Sequence, residues 1–360
     1  AHTDHTGALE LVSERYPAVP VYATPMTIEL TRVLHLDARR IMAARLEEEG
    51  ELPLYDEVAT TRLMTAFTPV ALNQPLTLAP GLTATYFQAG HIAGAAMIGL
   101  ASAEGRVLIS GDISISPQRT VDGARPPKFG ADVLILESTY GARLHPTRSE
   151  AQIELRDVVR ETIRRRGKVI IPSFAVGRTQ ELVYALNQLV ADGDIPPLPI
   201  YVDSPLAVNA TEVFRLHPEE WDEEVAAFLK NENQRSPFDA PQVEYVRDVV
   251  RSKRLNYLKE SAVIISANGM AENGRILHHL KNNIEDNHNT VLLVSFMAEN
   301  TLGRRLKDGE KRVHIFGESY DVRARVESID GYSAHADQRE LLEWAATLEH
   351  GEVQHLFVVH

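Results

Sequence analysis

The chain has 360 residues, a formal net charge of −13 and no cysteine. That length buries a sizeable core and suits two domains, while the missing cysteines exclude disulfides and thiolate metal sites and fit a reducing cytoplasm. The acidic balance argues against indiscriminate polyanion binding, except through a local basic groove or a bound metal, and no apolar run approaches bilayer length.

The first five residues, Ala1-His2-Thr3-Asp4-His5, place two imidazoles and a carboxylate within four positions. Nitrogen and carboxylate donors together suit zinc rather than calcium or magnesium, and Asp4 between the histidines can turn to a second ion, so the stretch reads as the loop of a two-metal hydrolytic site. The competing reading is a polar, frayed terminus. Because the first residue is Ala rather than Met, the chain is expected to be a fragment whose start lies upstream.

Helix is expected from about Gly7 to Arg15 with Leu9 and Val12 on one face, then a strand over Val19 to Ala23. Thr24-Pro25 supplies a capping hydroxyl and a first-turn proline for a helix ending near Gly50, and another helix covers Asp56 to Phe67. Short strands follow at Leu76 to Leu78, Thr83 to Phe87, Ala96 to Ala101 and Val107 to Ser110. His91, among the small residues of Gln88-Ala89-Gly90-His91-Ile92-Ala93-Gly94, and Asp112, directly after an apolar strand, stand where rigid strands place functional loops. Each also has a plain reading as a structural histidine or a Gly-Asp turn. Val133 to Leu136 runs into Glu137 in the same manner.

Beyond Arg148 the pattern changes to helices alternating with continuous apolar strands: Lys168 to Pro172, Pro199 to Asp203, Ala262 to Ser266 and Thr290 to Ser295. This implies a parallel sheet covered on both faces, inserted as a domain of its own. Its strand ends carry Ser173, Arg178 and Asn268, which read as phosphate contacts near helix amino termini or simply as caps. β segments at Arg312 to Phe316 and Val322 to Ile329 come next. Gly331-Tyr332-Ser333-Ala334-His335-Ala336-Asp337 leads into a helix to about Leu348, and an apolar strand from Leu356 to Val359 ends in His360. Boundaries are expected at 1–146, 147–310 and 311–360, the last a return to the first domain.

As a set, these residues resemble the metallo-β-lactamase-fold nucleases with a β-CASP insert, the group that contains the polyadenylation-specificity-factor nuclease and ribonuclease J. The resemblance spans nearly the whole chain. The family's metal loop reads His-x-His-x-Asp-His, and His2, Asp4 and His5 match its last three named positions, the first histidine falling before Ala1. His91 matches the third metal motif and Asp112 the bridging carboxylate; Glu137, His335 and His360 match the three β-CASP motifs. Asn300 departs from the family, which has Gly there. The fold implied is α/β, an incomplete αββα sandwich carrying a parallel-sheet β-CASP domain and lacking its closing strands.

What the resemblance implies for function is a ribonuclease with two zinc ions, one held by His2, His91 and Asp112, the other by Asp4, His5, Asp112 and His360. Asp4, Glu137 and His335 would be the catalytic set, with His335 as general acid and Glu137 orienting it. The histidine at 360 points to RNA rather than DNA. The truncated chain is expected to be a poor catalyst. The partner expected is RNA, with no membrane and with a homodimer left open. Alternatives are a non-catalytic RNA-binding subunit of a processing complex, a DNA-directed β-CASP nuclease, and a small-molecule hydrolase of the superfamily.

Overall fold

The computed structural model describes every residue except Arg119, Asn233, 349–352 and His360, together with the side chain of Glu223. The chain divides into two compact units, one formed by 1–144, 217–220 and 334–360, the other by 145–216 and 221–333.

The first unit begins with a helical turn, α1 (Thr3–Thr6), where a loop was expected, because four residues are too few to show periodicity. Helix α2 (Leu9–Arg15) reverses the expected facing: its buried residues are Glu10 and Ser13, whereas Leu11 and Val12 are exposed. A short parallel pair follows, β1 (Val21–Ala23) with β2 (Phe67–Pro69), and between them run α3 (Pro25–Glu49) and α4 (Glu57–Ala66). Thr24 caps α3 by accepting from the Thr27 amide at 3.3 Å, with Pro25 in the first turn, where its missing N–H costs nothing.

Strands β3 (Pro75–Ala79), β4 (Leu82–Gln88), β5 (Ala96–Ser102) and β6 (Gly105–Ile109) form an antiparallel meander, to which β7 (Val133–Glu137) adds in parallel. One sheet face buries Met97, Leu108, Leu134 and Leu136. Alternate positions Ile98, Ile109 and Ile135 are only half-buried, as the two-residue strand period requires.

The second unit carries α5 (Arg148–Arg164), β8 (Val169–Pro172), α6 (Arg178–Ala191), β9 (Ile200–Val202), α7 (Pro205–Leu216), α8 (Glu223–Glu232), β10 (Val243–Tyr245), α9 (Val249–Leu255), β11 (Val263–Ser266), α10 (Arg275–Asn283), β12 (Thr290–Leu293), α11 (Leu302–Lys307), β13 (Arg312–Ile315), β14 (Glu318–Asp321) and β15 (Arg325–Ser328). Its main sheet is parallel throughout, in the order β10-β9-β11-β8-β12-β15. The residues of β8, β9, β11 and β12 are all buried, the signature of a sheet covered on both faces.

The expected return at residue 311 is corrected. β15 pairs with β12 from Thr290↔Arg325 to Leu293↔Ser328 and completes the second unit's sheet, so the chain re-enters the first unit only at Ala334. There α12 (Gln338–Ala346) lays Leu341 and Trp344 on the buried face of the first sheet, and β16 (His355–Val359) adds beside β7, with Val359 opposite Glu137.

Candidate active site

All the polar groups that the sequence singled out in the first unit, apart from His360, meet at the carboxyl ends of β4, β6 and β7. His2 sits at the amino-terminal cap of α1, and His5 lies three residues on, so the helical turn turns both towards the same centre. The Nε2 of His5 lies 3.0 Å from Asp112 Oδ2, and the Nε2 of His91 lies 3.5 Å from both that oxygen and His2 Nδ1. His2, His91 and Asp112 offer ligand atoms all within 4.8 Å of one another. Asp4 is more exposed, its carboxylate 3.6 Å from His5 Nε2.

The backbone explains why His91 is held so closely. Gly90, at φ +71°, is packed so that a Cβ would meet the Ser114 carbonyl oxygen at 2.5 Å and the Ala124 amide at 2.6 Å, so only glycine fits. The far end of the loop is clamped at the Gly94 carbonyl, which accepts from the hydroxyls of Thr24 at 2.6 Å and Thr27 at 2.9 Å. His91 Nδ1 donates to the Ala334 carbonyl at 2.9 Å, which fixes the tautomer and leaves Nε2 with its lone pair towards Asp112.

Charge in the site follows from burial and pairing. Burial lowers His2 to about 4 and takes His91 well below the usual histidine value, so both rings are neutral donors at physiological pH. His5 is raised, chiefly by its hydrogen bond to Asp112. Burial works to raise the Asp112 carboxyl, yet the bond from His5 and the neighbouring imidazoles hold it well below the carboxylate range. The buried Nε2 of His2 has no hydrogen-bond partner among the described residues. A neutral imidazole with one buried, unsatisfied nitrogen beside an ionised carboxylate fits a transition metal of the zinc type.

Glu137 forms the second half of the site. It is 1% exposed and accepts from the Ile113 amide at 2.6 Å, the Thr139 hydroxyl at 2.7 Å and His335 Nδ1 at 2.9 Å. His335 is 18% exposed at its side chain, with its ring centroid 4.5 Å from that of His91. Asp112, Glu137 and His335 also form a group able to hold a metal. Sequence reasoning missed the Ile113 amide, Thr139 and the Ala334 carbonyl. Thr139 stands two residues from Glu137 in the same motif, but the backbone groups carry no residue-type signal.

His360 lies outside the described residues; the preceding Val359 carbonyl accepts from the Ser138 amide at 2.9 Å. In the second unit, Ser173 is fully buried, with its hydroxyl accepting from Thr179 at 3.1 Å and donating to the Phe174 carbonyl at 3.3 Å. It braces its own loop and has no exposed atom for a phosphate, which corrects the expected contact. Arg178 begins α6, and Asn268 is half-buried, with Oδ1 accepting from the Met270 amide at 2.7 Å.

Residues 179–306 match the Beta-Casp domain and residues 319–360 match the Zn-dependent metallo-hydrolase RNA specificity domain. Ribonuclease TTHA0252 of Thermus thermophilus is 34% identical over 368 residues, spanning 100% of this chain and 81% of its own length. The chain belongs to the β-CASP family of metallo-β-lactamase-fold nucleases. Within that family, the transcription termination factor FttA of Methanosarcina mazei is 29% identical across 97% of this chain, and that of Thermococcus kodakarensis is 32% identical across 96%. The chain spans about half the length of these two, 55% and 54% respectively. An RNase J-like protein of Methanocaldococcus jannaschii is 31% identical across 96% of this chain. The β-CASP family fixes the fold as a metallo-β-lactamase unit with a β-CASP insertion and the protein as a metal-dependent hydrolase. Among the described residues, no helix is long and apolar enough to cross a membrane.

Proposed function

We propose that this chain hydrolyses RNA phosphodiester bonds with two zinc ions, and the observation that carries the reading is the convergence of His2, His91 and Asp112 beside the Glu137–His335 pair. The name of the Thermus relative, a ribonuclease, supports RNA as the substrate. His2, His91 and Asp112 would hold one ion; Asp4, His5, Asp112 and His360 would hold the other. When bound, the pair of ions supplies an activated water and charge stabilisation at the scissile phosphate.

The chain's own residues do the rest. Asp112, ionised, faces imidazoles from two elements and sets the spacing of the centre. His335, held through Nδ1 by Glu137, would protonate the departing ribose oxygen. In the second unit, Arg178 and Asn268 are assigned to backbone phosphates.

The test is metal analysis of purified protein together with cleavage of 5′-labelled RNA. Two zinc ions per chain and zinc-dependent products are expected, and the product ladder separates internal cleavage from 5′-end degradation. Less than one tightly held transition metal per chain would sink the reading.

A further inference from the structure

A buried polar pair in the first unit has no part in the chemistry above. Glu10 of α2 and His35 of α3 are both 0% exposed and hydrogen-bonded through His35 Nδ1. The other ring nitrogen lies 3.5 Å from Thr6 Oγ1, and that hydroxyl donates to the His2 carbonyl at 3.1 Å. The Tyr55 ring stacks on His35 at 6.1 Å. A continuous polar path therefore runs from the helix pair to the backbone of the residue that opens the metal cluster.

Stability does not account for such a pair, since a buried ion pair replaced by apolar groups of similar size is often as stable or more so. Orientation does. The α1 turn is four residues long and has no side-chain cap at His2, so on its own it is far below the length at which a helix persists. Thr6, its buried residue, is where an outside tether can act.

We propose that Glu10 and His35 are positioning residues for the metal ligands, fixing α1 through Thr6 so that His2 and His5 point their ring nitrogens at Asp112. This rests on the two-metal reading. The protein carries its own control: Asp203 and His279 of the second unit form another fully buried carboxylate–imidazole pair, bonded at 2.6 Å, whose other partners are Ser252, Arg275 and Asn256.

The experiment measures zinc affinity of the full chain by competition with a chromogenic chelator, alongside hydrogen exchange of the Thr6 and Gly7 amides in metal-free protein. Variants are the double Glu10→Leu, His35→Leu, the milder His35→Gln in case the double fails to fold, and the control His279→Gln. Zinc affinity should fall tenfold or more in the His35 variants, the size typical of groups that orient ligands. Exchange at Thr6 and Gly7 should accelerate, while His279→Gln keeps zinc affinity within twofold of wild type. Unchanged zinc affinity in both His35 variants, or an equal loss in His279→Gln, overturns the inference. Wild-type protein that binds no zinc overturns the two-metal reading itself and this inference with it.

Discussion

Replacing Glu137 by Gln changes one atom on a side chain that is only 1% exposed, so its effect can be worked out from the hydrogen bonds. The Ile113 amide cannot turn away from its acceptor at 2.6 Å, so the new carbonyl oxygen must stay there. The amide nitrogen then takes the place of the oxygen that now receives Thr139 and the shorter of two contacts from His335, whose longer contact, 3.1 Å, is to the oxygen that stays. The Thr139 hydroxyl can rotate to accept. His335 Nδ1 cannot donate to an NH₂ group and keeps only the longer contact to a neutral carbonyl oxygen, so the charge-assisted bond to the carboxylate is lost. Such bonds contribute about 1.5–3 kcal/mol, which corresponds to turnover about 10- to 150-fold slower. Single-turnover cleavage of labelled RNA by zinc-loaded protein measures it, with metal content and melting temperature determined on the same sample. Cleavage within threefold of wild type would refute the orienting role. Zinc loss would refute it differently, by making Glu137 a ligand.

His335→Ala should keep both zinc ions yet cleave about 10²- to 10⁴-fold more slowly, the usual span for a general acid; zinc lost from this variant marks His335 as a ligand. Gly90→Ala forces a Cβ against backbone at 2.5 Å and a left-handed φ on a branched carbon, so the melting temperature and zinc affinity should both drop, and an unchanged melt would show that the loop gives way. Asp203→Asn tests pH dependence. Burial alone would raise Asp203, but bonds from His279, Ser252 and Arg275 hold it below the ordinary 3.8. A depressed carboxyl stabilises the fold fully above its unfolded value and loses that contribution as pH falls through the folded one. The melting-temperature gap between wild type and variant should therefore be steady near neutrality and narrow below pH 3.8; a gap that holds at lower pH contradicts the assignment.

The main sheet of the second unit was legible because strands buried on both faces are continuously apolar. β10 was not, because its three half-buried residues acquire strand character only by pairing with β9; β15 lay within the strand expected over Val322 to Ile329, but its place beside β12 was not legible, since the β13–β14 hairpin separates it from the other strands of that sheet. The site residues His91, Asp112, Glu137 and His335 stood out by their placement after apolar strands or within small-residue loops. Glu10 and His35 did not, since a glutamate among Leu9, Leu11 and Val12 reads as the solvated side of a helix. Its burial is settled by a partner 25 residues away. Ser173 failed in the opposite sense, because a hydroxyl at a strand end looks the same whether it meets a ligand or its own loop.

Glu137 and His335 are separated by 198 positions, a long stretch of chain to close around a single hydrogen-bonded pair. The second unit shortens it. Gly331 lies so close to the start of α5 that a Cβ there would touch Ala151 at 2.8 Å and the Pro146 carbonyl at 3.3 Å, so the two ends of the insert emerge side by side. Once the insert has folded, the free chain still to be ordered between the pair is about a dozen residues, and the entropy of closure falls by about 2 kcal/mol. An unfinished insert would therefore leave Glu137 and His335 joined only by a long open chain, and the pair would close far less readily.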